Sequence, residues 1–286
     1  MLSPSSQLTA LLFTPGSSPE RFAKAATSGA DGIIVDLEDA VPMMDKNRVR
    51  AEVANFFHTS IRIGMPPFVS AIRLNSLRSD AGREDLMALK KARVVPDVVM
   101  LPKVESSDEV KFAVAHLDPS VKLICLIETV QGVRRCASIA ESSPSVAALA
   151  FGGYDLSAET GGEPSWEALL WPRMQMLHAC TAAGIVALDQ PYIDLDNTSG
   201  LEADCVRVRS LGYVGKLAIH PKQVAGIKAS FQPTAAQVEK AARIVSAHDA
   251  AKGNVANIDG QMIDVPMYRS AQRILQRAGQ NSPKPV

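Results

Sequence analysis

Eight short apolar runs recur along the first 219 residues of this sequence, and stretches with a helical pattern separate them. Each run is apolar nearly throughout instead of alternating, which is typical of strands covered on both faces, as in a parallel sheet. Eight strand–helix units in about 230 residues predict a (β/α)8 barrel, or TIM barrel. An open doubly wound sheet is the alternative, but the sequence lacks the glycine-rich dinucleotide-binding motif that would support it. The eight runs are Leu11–Phe13, Gly32–Leu37, Phe68–Leu74, Val98–Leu101, Lys122–Ile127, Val146–Phe151, Ile185–Leu188 and Gly215–Ile219.

Helices are predicted between these runs, and an extension that a closed barrel does not need follows the last run. A charged amphipathic segment predicts a helix over residues 233–252, followed by a loop or hairpin at 254–266 and a final helix at 267–278. We therefore expect a barrel domain over residues 1–231 and a helical lid or oligomerisation extension over residues 232–286. The helices expected inside the barrel domain cover residues 19–28, 45–57, 82–93, 107–115, 132–142 and 168–183, with one more from about residue 200.

The composition restricts the class of function. Thirty basic residues balance thirty acidic ones, so the chain lacks the basic excess that nucleic-acid binding by counterion release requires. Four cysteines without a CxxC pair or zinc-type spacing are typical of a reduced protein. The apolar run near the N-terminus has no basic segment before it and is therefore a poor match to a signal peptide. No apolar stretch approaches the roughly 18 residues of a membrane span. These features predict a cytoplasmic protein that binds neither nucleic acid nor a membrane.

Polar residues follow the predicted strands, at the end of the barrel where (β/α)8 enzymes carry their active sites. Many of these residues are carboxylates, which repel one another in one mouth unless a positive charge neutralises them. Arg73 and Lys103 can neutralise some of these carboxylates, and a bound hard divalent cation such as Mg²⁺ could neutralise others. A rim of solvated carboxylates without an ion is the alternative. The carboxylates concerned are Asp36, Glu38, Asp39, Glu105, Glu128, Asp155 and Asp189.

Three rim residues suit particular roles. Glu128 and Asp155 follow adjacent strands, so they are the best candidates for Mg²⁺ ligands, because this ion usually takes only one or two protein carboxylates. Arg73 has the forked guanidinium that binds a substrate carboxylate, or else it forms an internal ion pair with Asp36 or Glu38.

Eight sequence blocks resemble the citrate lyase β-subunit-like family within the HpcH/HpaI aldolases. Each block is weak by itself, but together they run from residue 11 to about residue 278 in the family's order and are specific. The resemblance implies a (β/α)8 barrel with a C-terminal lid, usually a homotrimer or a multiple of trimers. It also implies Mg²⁺-dependent lyase chemistry on 3-hydroxyacyl-CoA thioesters such as citryl-, malyl- or citramalyl-CoA. The blocks are LLFTPGSSPERFAKAATSGADGIIVDLEDAV, IRLNS, LPKVES, LIETVQGV, FGGYDLSAETGG, ALDQPYIDLDNTSGLE, GYVGKLAIHPKQV and DGQMIDVP.

The resemblance also implies roles for individual residues. Glu128 of LIET and Asp155 of GGYD match the family's magnesium ligands, and Glu128 also contacts the substrate in this interpretation. Arg73 of IRLN matches the arginine that binds the substrate carboxylate. Asp264 of MIDVP matches the acid/base aspartate that the family supplies from the lid of a neighbouring subunit. The coenzyme A contacts match Phe13, Lys24 and Arg21.

The sequence departs from the family near the predicted mouth. Tyr154 stands where many members have an acidic residue, and residues 41–44 differ from the commoner small-residue turn. Because of these two departures, the sequence does not specify which acyl group the substrate carries. No histidine follows the second strand, which argues against the branch that cleaves free 2-keto-4-hydroxy acids. That branch, an acyl-CoA thioesterase at the same metal site, and a non-catalytic CoA-binding subunit are the alternatives to a lyase.

Overall fold

The structure, a computed structural model, describes residues 8–59, 69–251, 256–258 and 261–279. Eight of its strands are parallel and pair in sequence order, and the first also pairs with the eighth, so the sheet closes into a barrel. The fold expected from the eight apolar runs is therefore confirmed. The barrel strands are β1 (Ala10–Pro15), β2 (Gly32–Asp36), β3 (Val69–Arg73), β4 (Val98–Leu101), β5 (Lys122–Ile127), β6 (Val146–Phe151), β7 (Val186–Asp189) and β8 (Gly215–Ala218).

Strand bounds agree with the sequence prediction for β4, β5 and β6 and differ at the ends of the others. The first strand continues past the predicted run to Pro15, because its ladder with β2 continues to the pair of Pro15 and Asp36. Phe68, the predicted start of β3, lies outside the described residues.

Alternate residues of the strands fill the barrel interior, and the residues between them face the surrounding helices. Both sets are apolar, which is why the runs do not alternate in the sequence. The buried interior cluster consists of Leu8, Leu11, Ile34, Val69, Ala71, Val98, Met100, Ile124, Leu126, Ala148, Ala150, Leu188 and Leu217.

A helix follows every barrel strand. Two of these helices are absent from the sequence prediction, a short one directly after β6 and one directly after β8. The helices are α1 (Phe22–Ala26), α2 (Lys46–Thr59), α3 (Asp80–Ala92), α4 (Ser107–His116), α5 (Val130–Ala140), α6 (Gly153–Thr160), α7 (Trp166–Ala183), α8 (Thr198–Leu211) and α9 (Pro221–Phe231).

Several helices of the barrel begin where a short polar side chain satisfies a free backbone N–H group. The Ser106 hydroxyl accepts a hydrogen bond from Glu109 N at the start of α4, and the Thr129 hydroxyl accepts one from Gly132 N at the start of α5. Thr129 directly follows Glu128 in the sequence, so the cap of α5 fixes the chain next to a predicted site residue.

Residues 229–286 form a second compact unit, and residues 1–228 form the first. The second unit contains α10 (Ala235–Ala250), a hairpin of β9 (Ala256–Ile258) and β10 (Gln261–Ile263), and α11 (Val265–Arg277). Part of the predicted hairpin and the end of the predicted 233–252 helix lie outside the described residues. The boundary after residue 231 and the lid role stay predictions. The unit has its own small core of Ala241, Ile244, Val245, Ile263, Ala271 and Leu275.

Within the described residues, no helix combines the length and the apolar character needed to cross a bilayer.

Candidate active site

A cavity opens at the carboxyl ends of the barrel strands. Its wall is formed by the inward-facing residues that follow the interior core residues along each strand. Because side chains alternate along a strand, the residue two positions after an interior residue also points inward. Leu126 and Leu188 belong to the interior cluster, so Glu128 and Gln190 face the mouth. The residues placed in this way line one cavity of about 500 Å³ and are Phe13, Asp36, Arg73, Glu128, Gly152, Gln190 and Ile219.

The two sides of this cavity differ in polarity. The side formed by β2 to β6 carries the acidic residues and one arginine. The side formed by β7, β8 and β1 is apolar, and Gln190 is the only residue with a polar side chain among its described lining residues. The apolar lining consists of Phe13, Pro15, Pro191, Ile193, Leu217 and Ile219.

Arg73, the last residue of β3, forms the ion pairs that the sequence offered as one of two roles. Its Nε and Nη2 atoms each donate to a carboxylate oxygen of Asp36 at 2.7 Å, which is a bidentate pair. Its Nη1 lies 2.9 Å from Glu38 Oε2, and its Nη2 lies 3.4 Å from Asp39 Oδ2. The guanidinium also stacks on Phe13, with 4.8 Å between its central carbon and the ring centre. Arg73 is therefore held rigidly in the cavity wall, with most of its donors already engaged.

Lys103 is the second cation at the mouth. Its Nζ donates to Glu38 Oε1 at 2.6 Å and lies 4.0 Å from Asp155 Oδ2. Its backbone has a left-handed conformation with φ of 51°, which is unusual for a residue other than glycine. In this conformation its backbone N–H donates to Glu128 Oε1 at 2.8 Å. Lys103 therefore orients Glu128 through the main chain and balances Glu38 through the side chain.

Glu128 is buried in the cavity wall and lies close to Gly152, the residue that directly follows β6. A Cβ atom built on Gly152 would lie 2.4 Å from the Glu128 Cβ and 2.7 Å from its Oε2. Only glycine fits at this position without moving the carboxylate. Asp155 lies in the first turn of α6, three residues later, and is half exposed. The direct passage from β6 into α6 therefore brings Asp155 to the cavity that Glu128 also lines.

Electrostatics at the mouth favour an additional positive charge. Burial is the main reason that the pKa of Glu128 lies well above its usual range, and the nearby carboxylates of Glu38 and Asp155 raise it further. Burial also raises the pKa of Glu38, although Arg73 and Lys103 oppose the shift. For Arg73, burial acts to lower the pKa, but the hydrogen bonds and charge of Asp36 outweigh it, so the guanidinium stays charged.

Glu128 and Asp155 are the residues that can hold a divalent cation here. Among the described residues, no group of three or more histidine, cysteine, aspartate or glutamate side chains is arranged to bind a metal. A pair of carboxylates fits Mg²⁺, which leaves its other positions to water and substrate. Lys103 and Arg73 oppose the rise in the pKa of Glu128 without cancelling it, and a bound cation would stabilise the charged form further.

The remaining predicted site residues lie in different places. Phe13 lines the cavity beside Arg73. Lys24 on α1 and Arg21 before it are exposed, and neither is among the residues that line the cavity; Arg21 lies 3.7 Å from Glu20 in a surface ion pair. Asp264 belongs to the second unit, where it is exposed and its Oδ1 accepts a hydrogen bond from Met267 N at the start of α11.

Two carboxylates expected at the rim face elsewhere. Asp189 is completely buried, and its Oδ1 accepts a hydrogen bond from Arg173 Nε at 2.8 Å while its Oδ2 contacts Lys216. Because Leu188 points inward, Asp189 points outward toward the helices. Glu105 forms an ion pair with Arg78 at 2.8 Å outside the cavity lining. Gln190 is a cavity residue that the sequence prediction missed, and alternation along β7 is the signal that separates it from Asp189.

Two family models match the chain. Residues 9–221 match the model described as HpcH/HpaI aldolase/citrate lyase. Residues 163–280 match the model described as a C–C bond lyase of the TIM-barrel fold. Together they extend across both compact units.

Individual proteins resemble the chain over nearly its whole length. Mitochondrial citramalyl-CoA lyase of Homo sapiens is 30% identical, over 92% of this chain and 83% of its own length. The (3S)-malyl-CoA thioesterase of Cereibacter sphaeroides is 32% identical, over 94% of this chain and 93% of its own. The crystal structure of CitE from Mycobacterium tuberculosis with magnesium, acetoacetate and coenzyme A superposes with a TM-score of 0.84 at 29% identity, covering 96% of this chain and 100% of that one.

Proposed function

The chain belongs to the HpcH/HpaI aldolase/citrate lyase family, and from this premise we propose that it is a Mg²⁺-dependent carbon–carbon lyase. Its substrate is a 3-hydroxyacyl-CoA thioester such as citryl-, malyl- or citramalyl-CoA, which it cleaves or forms by retro-Claisen chemistry. The observation that carries the proposal is the buried Glu128 carboxylate, which lines a cavity with Asp155 and whose charge the nearby Lys103 and Arg73 compensate only in part. The CitE structure bound to magnesium and coenzyme A supports the same assignment.

Glu128 and Asp155 hold the magnesium ion in this proposal, and Glu128 also contacts the substrate. A bound magnesium ion acts as a Lewis acid that lowers the pKa of the substrate hydroxyl and orients the bond to be broken. Lys103 N–H and the absence of a side chain at Gly152 keep the Glu128 carboxylate in position.

The cleavage breaks the bond between the hydroxyl-bearing carbon and the carbon next to the thioester. The hydroxyl gives its proton to a solvent water molecule and becomes a carbonyl, and the bonding electrons move to the thioester as an enolate. We propose that Arg73 meets the substrate carboxylate or the developing negative charge with its remaining Nη donors. Asp264 of a neighbouring subunit then gives a proton to the enolate carbon, which releases acetyl-CoA.

Coenzyme A contacts are proposed for Phe13, Lys24 and Arg21. Phe13 lies in the cavity wall, while the two cations are exposed on the segment that follows β1, outside the cavity lining. Exposed cations suit the phosphate groups of coenzyme A, and an aromatic wall suits the acyl end. A Lys24→Ala variant should therefore raise KM for a CoA thioester, whereas a free-acid aldolase would not respond to it.

The test is acetyl-CoA release from citryl-, malyl- and citramalyl-CoA in the presence of Mg²⁺. We expect turnover of at least one thioester by the native protein and loss of turnover in Glu128→Gln, with the melting temperature near the native value. Magnesium binding measured by calorimetry shows whether the site is loaded. A native protein that binds magnesium and cleaves none of these thioesters would overturn the proposal.

A thioesterase is the second candidate, because the relative from Cereibacter sphaeroides is named as one. Hydrolysis of the same thioester releases free CoA and an intact hydroxy acid, whereas cleavage of the carbon–carbon bond releases acetyl-CoA and a keto acid. Product analysis of one reaction mixture therefore separates the two functions.

We further propose a cytoplasmic homotrimer, or a multiple of trimers. All four cysteines are buried and unpaired, which fits a reducing compartment. The trimer is inferred from the family resemblance and from the role proposed for Asp264, which requires a neighbouring subunit.

A further inference from the structure

Gln190 is a polar residue on the otherwise apolar side of the cavity. It follows β7, is only 6% exposed, and accepts a hydrogen bond on its Oε1 from Gly153 N at 2.6 Å. The Gly153 N–H group can only donate, so this contact identifies the oxygen of the amide and fixes its orientation. Gln190 lines the cavity, and Nε2 is the part of its amide that this contact leaves without a partner.

The Nε2 group of Gln190 makes no hydrogen bond with the described part of the protein. Most donors of the two cations at the mouth are engaged, since Arg73 binds Asp36 and Lys103 binds Glu38. Gln190 is thus an immobile, neutral donor that a bound molecule would have to satisfy. An apolar group placed against it would leave the amide without a partner and would be penalised for that reason.

Resting on the proposed function, we infer that Gln190 is a specificity-determining residue for the acyl group. Its Nε2 donates to an oxygen carried by the substituent on the hydroxyl-bearing carbon of the substrate. The site therefore selects an acyl group with a carboxymethyl substituent there, as in citryl-CoA, over one with a methyl substituent, as in citramalyl-CoA. A site built to hydrogen-bond an oxygen discriminates more strongly against its absence than an apolar pocket discriminates between sizes.

Two variants separate recognition by Gln190 from its structural contact with α6. Gln190→Glu has the same shape and still accepts from Gly153 N, but it has no Nε2 donor and repels a carboxylate. Gln190→Met has a similar length and neither accepts nor donates. Helix α6 carries Asp155, so a purely structural role predicts that Gln190→Glu behaves like the native protein.

The measurement is calorimetric binding of citrate and citramalate at saturating Mg²⁺, because these acids differ by the same carboxymethyl and methyl groups. We expect the native protein to bind citrate about tenfold or more tightly than citramalate. Gln190→Met should make the two affinities nearly equal, and Gln190→Glu should weaken citrate binding by at least the same factor. If Gln190→Met does not fold, the citrate affinity of Gln190→Glu is sufficient to test the inference.

Gln223→Glu is the matched control. The Gln223 amide is buried and fully engaged, since its Oε1 accepts from Ile219 N at 3.0 Å and its Nε2 donates to Tyr192 O at 2.6 Å. This residue does not line the cavity, so its variant should lower the melting temperature without changing the ratio of the two affinities.

Equal affinities in the native protein, or a citrate preference that Gln190→Glu leaves unchanged, would overturn the inference. Thioester cleavage assays on the same proteins keep this outcome apart from the proposed function. If the native protein cleaves a thioester but the Gln190 variants keep its preference for citrate over citramalate, only the specificity role is refuted. An intact citrate preference without cleavage of any thioester refutes only the lyase.

Discussion

At the scale of single residues, the position of Glu128 depends on backbone groups from two neighbouring strand ends. Lys103 donates its N–H to one carboxylate oxygen, and Gly152 leaves the space that the carboxylate occupies. A buried carboxylate held in this way loses little freedom when it binds a cation, so its affinity depends on these two neighbours.

Gly152→Ala should disturb Glu128 directly, because the new Cβ would lie 2.4 Å from the Glu128 Cβ. We expect magnesium affinity and thioester cleavage to fall by at least about tenfold, together with a lower melting temperature, since the wall must shift to accept the methyl group. Calorimetry with Mg²⁺ and thermal unfolding measure the two effects.

Gly162→Ala is the control for this substitution. Its nearest neighbour would be Thr160 Oγ1 at 3.6 Å, an ordinary contact, so magnesium affinity should stay native. Equal losses of magnesium affinity in both variants would show that the close approach at Gly152 has no special role.

At the scale of elements, a buried ionic network joins two strands to the helices outside them. Lys216 of β8 contacts Asp189 of β7 and Asp204 of α8, and Arg173 of α7 donates to Asp189 at 2.8 Å. Tyr213 donates its hydroxyl to the Arg173 carbonyl at 3.0 Å and completes the buried group. Asp189 directly precedes Gln190 in the sequence. The network therefore anchors the end of β7 on the side that faces the helices.

Lys216→Met should destabilise the protein strongly, because it leaves two carboxylates without their shared cation. Breaking a buried pair by removing one partner costs about 3–5 kcal/mol, and we expect a loss of that size in urea unfolding. Lys228→Met is the matched control, since Lys228 is partly exposed and pairs with Asp31 at 2.7 Å. An exposed pair contributes about 1 kcal/mol or less, so comparable losses in the two variants would contradict the role of burial.

The network also predicts a pH dependence of stability. Burial acts to raise the pKa of Asp189, but Lys216 and Arg173 outweigh it, so the pKa in the folded state is lowered. A carboxyl of this kind contributes stability above its unfolded pKa, about 3.9, and loses it as the pH falls through the folded pKa. The stability advantage of the native protein over Asp189→Asn should therefore be full near neutral pH and shrink below about pH 4. A gap in unfolding free energy that is constant with pH would contradict this.

At the scale of the whole molecule, the proposed catalytic residues are divided between the two compact units. The barrel contains Arg73, Glu128 and Asp155, and the second unit contains Asp264. The exposed position of Asp264 at the start of α11 leaves it accessible in its own unit. The proposal that Asp264 acts from a neighbouring subunit requires that one subunit of the trimer completes the barrel site of another.

Mixed trimers test this arrangement. Glu128→Gln and Asp264→Asn should each be inactive alone, and asparagine keeps the cap of α11. Co-expressed subunits should recover up to about a quarter of native activity, because random assembly joins an intact Glu128 and an intact Asp264 at about that share of sites. Differently tagged subunits purified in sequence show that mixed oligomers have formed. Mixed oligomers without recovered activity, or a monomeric native protein, would contradict the arrangement in trans.

The sequence by itself determined the fold of the barrel and the strand ends at which its polar residues lie. Eight runs covered on both faces fit a closed parallel barrel, and apolar runs cannot contain unpaired charges, so the polar groups come at their ends. The helix α6 was missed because two glycines at its start are typical of a turn as well as of a helix that begins against a neighbouring side chain.

Only the tertiary structure decided which polar residues face one another. Alternation along β7 separates Asp189 from Gln190, but only the closed barrel brings Asp189 against Lys216 of β8 and Gln190 to the cavity that Glu128 also lines. The same closure brings Arg73 against Asp36, so most of its donors are engaged before a substrate arrives. These outcomes depend on distances between strands that lie far apart along the chain, and a local pattern of residue types contains no information about such distances.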